Sequence, residues 1–328
     1  MIKIDRNRIK RILFISLSNI GDIILTTPVL KVLSGNFPKA KLDVMIGPDG
    51  GELFKNHPAV FKVIIYDKHI SAKNKQRLIR KLRKIKYDLI VDMRNSLFPI
   101  LLGAKYRTSP IRNAPGLIKH KKHRHLWKLS AIGLGVPDAP FFVHIPPEDD
   151  AYIDRAMMEL DGNKPIVAIS PGAKSGIKRW AKESFAELTN RLIEELDAQV
   201  LLVGDGSDSH LIKDIMLPVL PVKNGVMDFS GKTTLCQLAA LLKRCDLLIA
   251  NDSAPLHMAE AVSTKVLAIF GPTDPESYGP KGRKSRIIRK NLHCSPCGKA
   301  QCEFKHECMR NINADEVFQI AKEMLDKK

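Results

Sequence analysis

The sequence predicts an α/β protein made of two doubly wound parallel-sheet domains, and three observations carry the prediction. Short runs rich in Ile, Val and Leu recur without polar alternation, as strands covered on both faces require. Segments of helical period lie between those runs, which is the alternation of βαβ units. The chain has 328 residues, more than a single hydrophobic core usually serves, so two domains are expected.

In the first half the strands are read at "RILFISL", "KLDVMIG", "VFKVIIY" and "YDLIVDM", with helical period in "IILTTPVLKVLSGNF" and "NKQRLIRKLRKI". The alternation breaks across "GVPDAPFFVHIPPEDD", residues 135 to 150, where prolines and acidic residues crowd together. A helix is expected over 149–161, and alternation restarts at Pro165 with "PIVAIS", "AQVLLVG", "CDLLIAN" and "KVLAIFG" as strands. The helices between them are read at "WAKESFAELTNRLIEEL", "TLCQLAALLKRC" and "APLHMAEAV". The expected domains are therefore 1–148 and 149–328, the second ending in a cysteine-containing tail and a helix. Two such halves imply a cleft with ligand sites outside the carboxyl ends of the strands.

A formal net charge of +18 calls for an acidic partner: nucleic acid, an anionic membrane face or a phosphorylated substrate. The excess is concentrated in "KHISAKNKQRLIRKLRKIKYD" and "HKKHRHLWK", both in the first half. Aromatic residues make up only 6% and do not interleave with the basic runs, which argues against single-strand stacking and makes nucleic acid the rival rather than the main reading. The N-terminus turns apolar only briefly before Asp22, so no signal peptide is expected. No stretch approaches the ~20 apolar residues of a spanning helix, so a cytoplasmic chain resting on a membrane by charge is expected.

Five stretches bear on chemistry. In "SLSNIGDIILTTPVLKVL", Asp22 follows a strand through a glycine turn and opens a helix, where a carboxylate can cap the helix or serve as a general base. "ISPGAKSGIKRW" places Pro171, Gly172 and Ala173 in a loop ahead of Lys178 and Arg179, a pattern suited to phosphate or to a plain solvated loop. "VGDGSDSH" lacks the third glycine of a dinucleotide fingerprint, which disfavours a nicotinamide enzyme. In "LLIANDSAPLHMAEAV" a buried strand ends at Asn251 and Asp252, Ser253 is placed to cap the next helix, and Ala254 and His257 lie on its first turns. "IFGPTDPESYGP" adds Gly271, Thr273 and Asp274 at another strand edge.

In order and spacing these stretches resemble glycosyltransferase family 9, the heptosyltransferases of lipopolysaccharide core assembly, over roughly residues 11 to 326. The resemblance implies a GT-B fold of two Rossmann-like domains facing a central cleft, the first for the acceptor and the second for an ADP-activated sugar. It implies inversion at the anomeric carbon without cofactor or catalytic metal. Asp22 is then the general base, and Lys178 the residue that stabilises the leaving phosphate. Pro171, Gly172, Ala173, Asp252, Ser253, Ala254, His257, Gly271 and Thr273 are donor-binding, and Ala254 departs from the glycine common at its place. An anionic glycolipid acceptor at the inner membrane face would match the basic first half, with its readers expected around Asn95, Ser96 and 105–128.

Four of the six cysteines, Cys294, Cys297, Cys302 and Cys308, lie in "HCSPCGKAQCEFKHECM". The C-x-x-C half suits tetrahedral zinc, whereas five residues between the last two is loose spacing for it. Structural metal and reduced thiols both stay open at this point, and oligomeric state is not legible.

Overall fold

The computed structural model describes residues 4–111, 113–135, 138–222 and 225–326. The chain divides into two compact units, 1–144 and 145–328, where the expected boundary lay at 148/149.

The first unit holds a parallel sheet of β1 (Arg11–Ile15), β2 (Lys41–Ile46), β3 (Lys62–Ile65), β4 (Leu89–Asp92) and β5 (Tyr106–Arg107) in the order β3-β2-β1-β4-β5. β1 pairs with β2 on one side and β4 on the other, Phe14 lying opposite Val44 and Val91. The order reverses between β1 and β4, which makes their carboxyl ends the switch point where doubly wound sheets bind ligands. Ile12, Leu13, Phe14 and Ile15 are all fully buried, as a strand covered by helices on both faces must be.

Helix Ile20–Asn36 follows β1 and is buried along most of its length, from Ile23 to Leu30. Pro28 sits inside it and cannot donate to the carbonyl of Ile24. That carbonyl accepts the Thr27 hydroxyl instead, at 2.8 Å, while the Thr26 hydroxyl bonds Ile23 O at 2.7 Å. Two adjacent threonines thus supply the hydrogen bonding that lets a proline occupy a buried helix.

The second unit holds β6 (Ile166–Ser170), β7 (Gln199–Leu202), β8 (Val226–Asp228), β9 (Leu247–Asn251), β10 (Lys265–Ile269) and β11 (Ser285–Ile288), all parallel, in the order β11-β10-β9-β6-β7-β8. Its switch point lies between β6 and β9, where Ser170 is opposite Ala250. Helices Lys182–Leu196 and Ala314–Asp326 bury one face of this sheet, with Phe185, Leu188, Val317 and Phe318 in a shared core.

Three differences from the sequence reading have physical causes. The helix expected over 149–161 runs from Pro147 to Ala156. It starts early because proline suits the first helical turn and Glu148, Asp149 and Asp150 complement its dipole. It ends at Ala156, Met157 leaving the helical conformation, and further on the Gln199 amide takes the backbone N–H and carbonyl of Asp161, both at 2.8 Å. Trp180 is buried ahead of its helix, which begins at Lys182. β5, β8 and β11 are short strands that the apolar pattern did not reveal. Among the described residues no helix is long and apolar enough to cross a membrane.

Asp43 on β2 is buried and accepts a 2.6 Å hydrogen bond from the Tyr87 hydroxyl. Burial pushes the Asp43 carboxyl up, and the tyrosine bond opposes that push. Tyr87→Phe leaves a buried carboxylate oxygen without its donor and should cost about 1–3 kcal/mol in urea unfolding. His57 is also buried, its Nδ1 accepting the Ala59 N–H at 3.1 Å. Burial, with His144 nearby, lowers its pKa to about 4. The unfolded chain therefore takes up this proton first, and stability should fall as pH drops from about 6.5 towards 4, by ~1.4 kcal/mol per unit, with no effect above that window. His57→Asn keeps an acceptor for Ala59 and should remove that component of the slope.

Candidate active site

In the second unit the sheet order places four loops side by side at the carboxyl edge: those after β10, β9, β6 and β7. The residues expected from separate motifs are thus neighbours by topology. The connection at the switch point is made by Asn251, the fully buried last residue of β9. Its amide Nδ2 donates to Pro171 O at 2.7 Å and its Oδ1 accepts the Trp180 N–H at 3.1 Å. One side chain therefore ties the 171–173 loop to the segment bearing Lys178. The Trp180 indole N–H donates to Ile312 O at 2.8 Å and its ring stacks edge-on with Phe185, fixing that segment to the core.

Lys178, in the single turn Gly176–Lys178, reaches Asp252 with its Nζ 2.6 Å from Oδ2. The Asp252 side chain is 9% exposed and that of Lys178 32%, so the ammonium is open to solvent on one side while the carboxylate is largely enclosed. Arg179 turns the other way, donating to Ala173 O at 2.9 Å and approaching Asp208 at 3.6 Å. Asp208 packs over Gly172 so closely that a Cβ there would lie 2.1 Å from its carboxylate, and only glycine fits. Burial, followed by the charge of Asp205, pushes the Asp208 carboxyl up, and Arg179 pulls it down.

Beyond Asp252, helix Ala254–Ala261 begins with Pro255 in its first turn. Ser253 holds the cap position, but its hydroxyl makes no capping bond and is buried without a partner, which corrects the capping expectation. Ala254 opens the helix, so its backbone N–H lies in the terminal turn that has no partner within the helix. His257 is buried, with Nδ1 3.9 Å from Oε2 of Glu260. The other oxygen of Glu260 accepts the N–H groups of Lys281 and Gly282 at 2.7 and 2.9 Å.

After β10, Thr273 is buried and Asp274 caps the short helix Pro275–Tyr278 through the Glu276 N–H. Gly271 is constrained by packing: a Cβ there would lie 2.4 Å from the Met309 sulfur and 3.0 Å from that of Cys308.

In the first unit Asp22 lies in the first turn of helix Ile20–Asn36, half-buried, and accepts a 3.0 Å hydrogen bond from the Asn19 amide. Asn19 holds the cap position without a side-chain capping bond, and Asp22 is the acidic residue of the first turn, where it also meets the positive end of the helix dipole. Beside it at the β1/β4 switch point, Arg94 donates to Ser16 O and Leu17 O at 2.6 and 3.2 Å and lies over the Tyr66 ring. Asp92 accepts the N–H groups of Arg94 and Ser96 and the Ser96 hydroxyl, each at 2.7 Å. Lys128 donates to Asp92 O at 3.0 Å and to Asn95 Oδ1. Burial lowers the pKa of both Arg94 and Lys128, against the opposing charge of Asp92.

Sequence reading placed Asn251 at the strand end without giving it a role, held Lys128 only as part of the 105–128 segment, and named neither Asp208 nor Arg94. Asn251 had a signal, a polar residue closing an apolar strand ahead of Asp252. Asp208 and Arg94 had none that distinguished them from surface charges.

Comparison with known proteins extends this geometry. The chain is 28% identical over 315 residues to the lipooligosaccharide heptosyltransferase 2 of Campylobacter jejuni, covering 93% of this chain and 95% of that protein. It is 29% identical over 294 residues to the lipopolysaccharide heptosyltransferase 3 of Escherichia coli, covering 79% and 82%. The solved structure of an Escherichia coli ADP-heptose lipopolysaccharide heptosyltransferase II superposes with a TM-score of 0.80 at 23% identity, covering 97% of this chain and 99% of that one. The fold is accordingly GT-B, two Rossmann-like domains. Residues 122–307, more than half the chain, match the model of glycosyltransferase family 9 (heptosyltransferase), and the chain belongs to that family.

Proposed function

We propose that this enzyme moves heptose from ADP-heptose to the core of a lipopolysaccharide or lipooligosaccharide, with inversion at the anomeric carbon. The observation that carries the reading is the Lys178–Asp252 pair, 2.6 Å apart at the β6/β9 switch point and next to the start of helix Ala254–Ala261. A lysine side chain about a third exposed, helix-terminal N–H groups and an enclosed carboxylate are a fitting set for a sugar diphosphate. The heptosyltransferase relatives supply the sugar and acceptor class.

Breaking the bond from the anomeric carbon to the diphosphate sends its electron pair to ADP, leaving positive charge on the sugar and negative charge on the leaving group. Lys178 and the free backbone N–H groups that begin helix Ala254–Ala261, Pro255 having none, stabilise the leaving group, and the Asp252 carboxylate faces the sugar. The acceptor hydroxyl oxygen forms the new bond, and its proton passes to Asp22. Pro171, Gly172, Ala173, Ser253, Ala254, His257, Gly271 and Thr273 shape the donor site in this reading. The acceptor, an anionic glycolipid, is met at the cytoplasmic face of the inner membrane, drawn by the basic first unit.

Asp22→Asn should lower kcat by about 10² to 10⁴ while ADP-heptose still raises Tm as in the parent. Activity within tenfold of the parent would exclude Asp22 as the base. Lys178→Met should lower kcat/KM by about 10²-fold and weaken the Tm shift given by ADP. An unchanged shift would remove Lys178 from the donor site.

A further inference from the structure

The cysteine segment takes no part in the reaction just described. Residues 289–306 run between β11 and helix Glu307–Arg310 without strand or helix, and irregular stretches longer than ~12–15 residues are uncommon unless something holds them. Cys294, Cys297, Cys302 and Cys308 all line one cavity of about 280 Å³ in this segment, together with His293 and His306. None is in a disulfide; Cys308 is buried, Cys294 and Cys302 are half-buried and Cys297 is exposed.

The backbone around the cavity is already shaped. After Cys297 the chain reverses through Gly298 at φ +62°, a conformation that favours glycine. The Cys297 and Gly298 N–H groups both donate to Pro272 O, at 3.0 and 2.8 Å, and the Ser295 hydroxyl donates to Gly271 O at 2.6 Å. On the far side the His306 N–H donates to the Cys302 sulfur at 3.2 Å, following two consecutive left-handed residues, Lys305 at φ +48° and His306 at φ +62°. Such a pair persists only where its surroundings over-determine it. Among the described residues no three His, Cys, Asp or Glu side chains stand close enough to hold an ion as placed, so binding requires the thiols to rotate into the cavity, which has the room.

We propose that Cys294, Cys297, Cys302 and Cys308 form a four-thiolate centre for a thiophilic metal, zinc or iron, that fastens the 294–308 segment to the Gly271–Pro272 turn. Thiolates are the ligands that select these metals over magnesium or calcium. The inference is independent of the proposed transfer reaction, because its readout is metal content.

The test is elemental analysis of the full chain, expressed with both metals available and purified under reducing conditions without chelator. About one equivalent of zinc (colourless) or iron (coloured by sulfur-to-iron charge transfer) is expected per chain. Cys297→Ser and Cys302→Ser should each lose the metal while keeping the far-ultraviolet circular dichroism of the parent, and Cys236→Ala, a buried thiol of helix Leu235–Arg244, should retain it. Metal-depleted parent given Co(II) should develop intense sulfur-to-cobalt absorption. A parent chain that binds neither metal and gives no cobalt spectrum overturns the proposal, as does full metal retention by both serine variants. Should either variant unfold, the parent's metal content and cobalt spectrum decide alone.

Discussion

The second unit depends on one buried amide. A polar side chain at the end of a central parallel strand has no water to turn to, and leaving it unsatisfied costs about 1–3 kcal/mol. Asn251 resolves this by bonding the carbonyl of Pro171 and the N–H of Trp180. The two bonds point to different parts of one excursion, the loop after β6 that leaves the sheet at Pro171 and returns at Trp180. Everything between them, Gly172, Ala173 and Lys178 included, is thereby held at both ends. The strand pairing of β6 with β9 sets the spacing, and the amide converts a shared sheet edge into a fixed loop.

Lys178 and Asp252 are a consequence of that closure. Asp252 is the next residue after Asn251, and Lys178 lies two before Trp180, so fixing the one pair of residues brings the other pair within reach. Asp252 is nearly enclosed, and an enclosed carboxylate is costly without a cation. The lysine supplies it while keeping about a third of its own surface open. A pair of this kind is asymmetric: an anion arriving from solvent meets the ammonium before the carboxylate, and the short bond holds the ammonium in place rather than leaving it on a free four-carbon stem.

Legibility in the sequence followed the length and burial of each element. β1, β2, β4, β6, β7, β9 and β10 announced themselves because strands covered on both faces are continuous runs of Ile, Val and Leu. β5 has two residues and β8 three, too few for a period to show. The ends of helices were less legible than their middles: the segment expected to be helical to 161 leaves the helix at Met157, and Asp161 is held by Gln199, far along the chain. Gly172 and Gly271 were read from the sequence as donor-site positions. Their requirement for glycine comes from Asp208 and from Met309 with Cys308, contacts that sequence proximity does not signal. Ser253 fits the cap position by type, yet its hydroxyl makes no capping bond.

The positive charge of the first unit divides into two physically different populations. On helix Ala72–Arg83, Lys73, Lys75, Arg77, Arg80, Lys81 and Arg83 are all exposed. Charges of that sort are screened over ~8 Å at physiological salt and act mainly as a diffuse attraction. Arg94 and Lys128 are half-buried and bonded to strand-end carbonyls, Ser16 O and Leu17 O for the first and Asp92 O for the second. Carbonyls leave most of a cation's charge uncompensated, and the one adjacent acid, Asp92, already accepts three hydrogen bonds from Arg94 and Ser96. These two charges are therefore fixed in direction and weakly screened. They stand at the β1/β4 edge beside the turn that carries Asp22. An anion attracted over a distance by the helix would meet in Arg94 and Lys128 two cations held at defined positions on that edge.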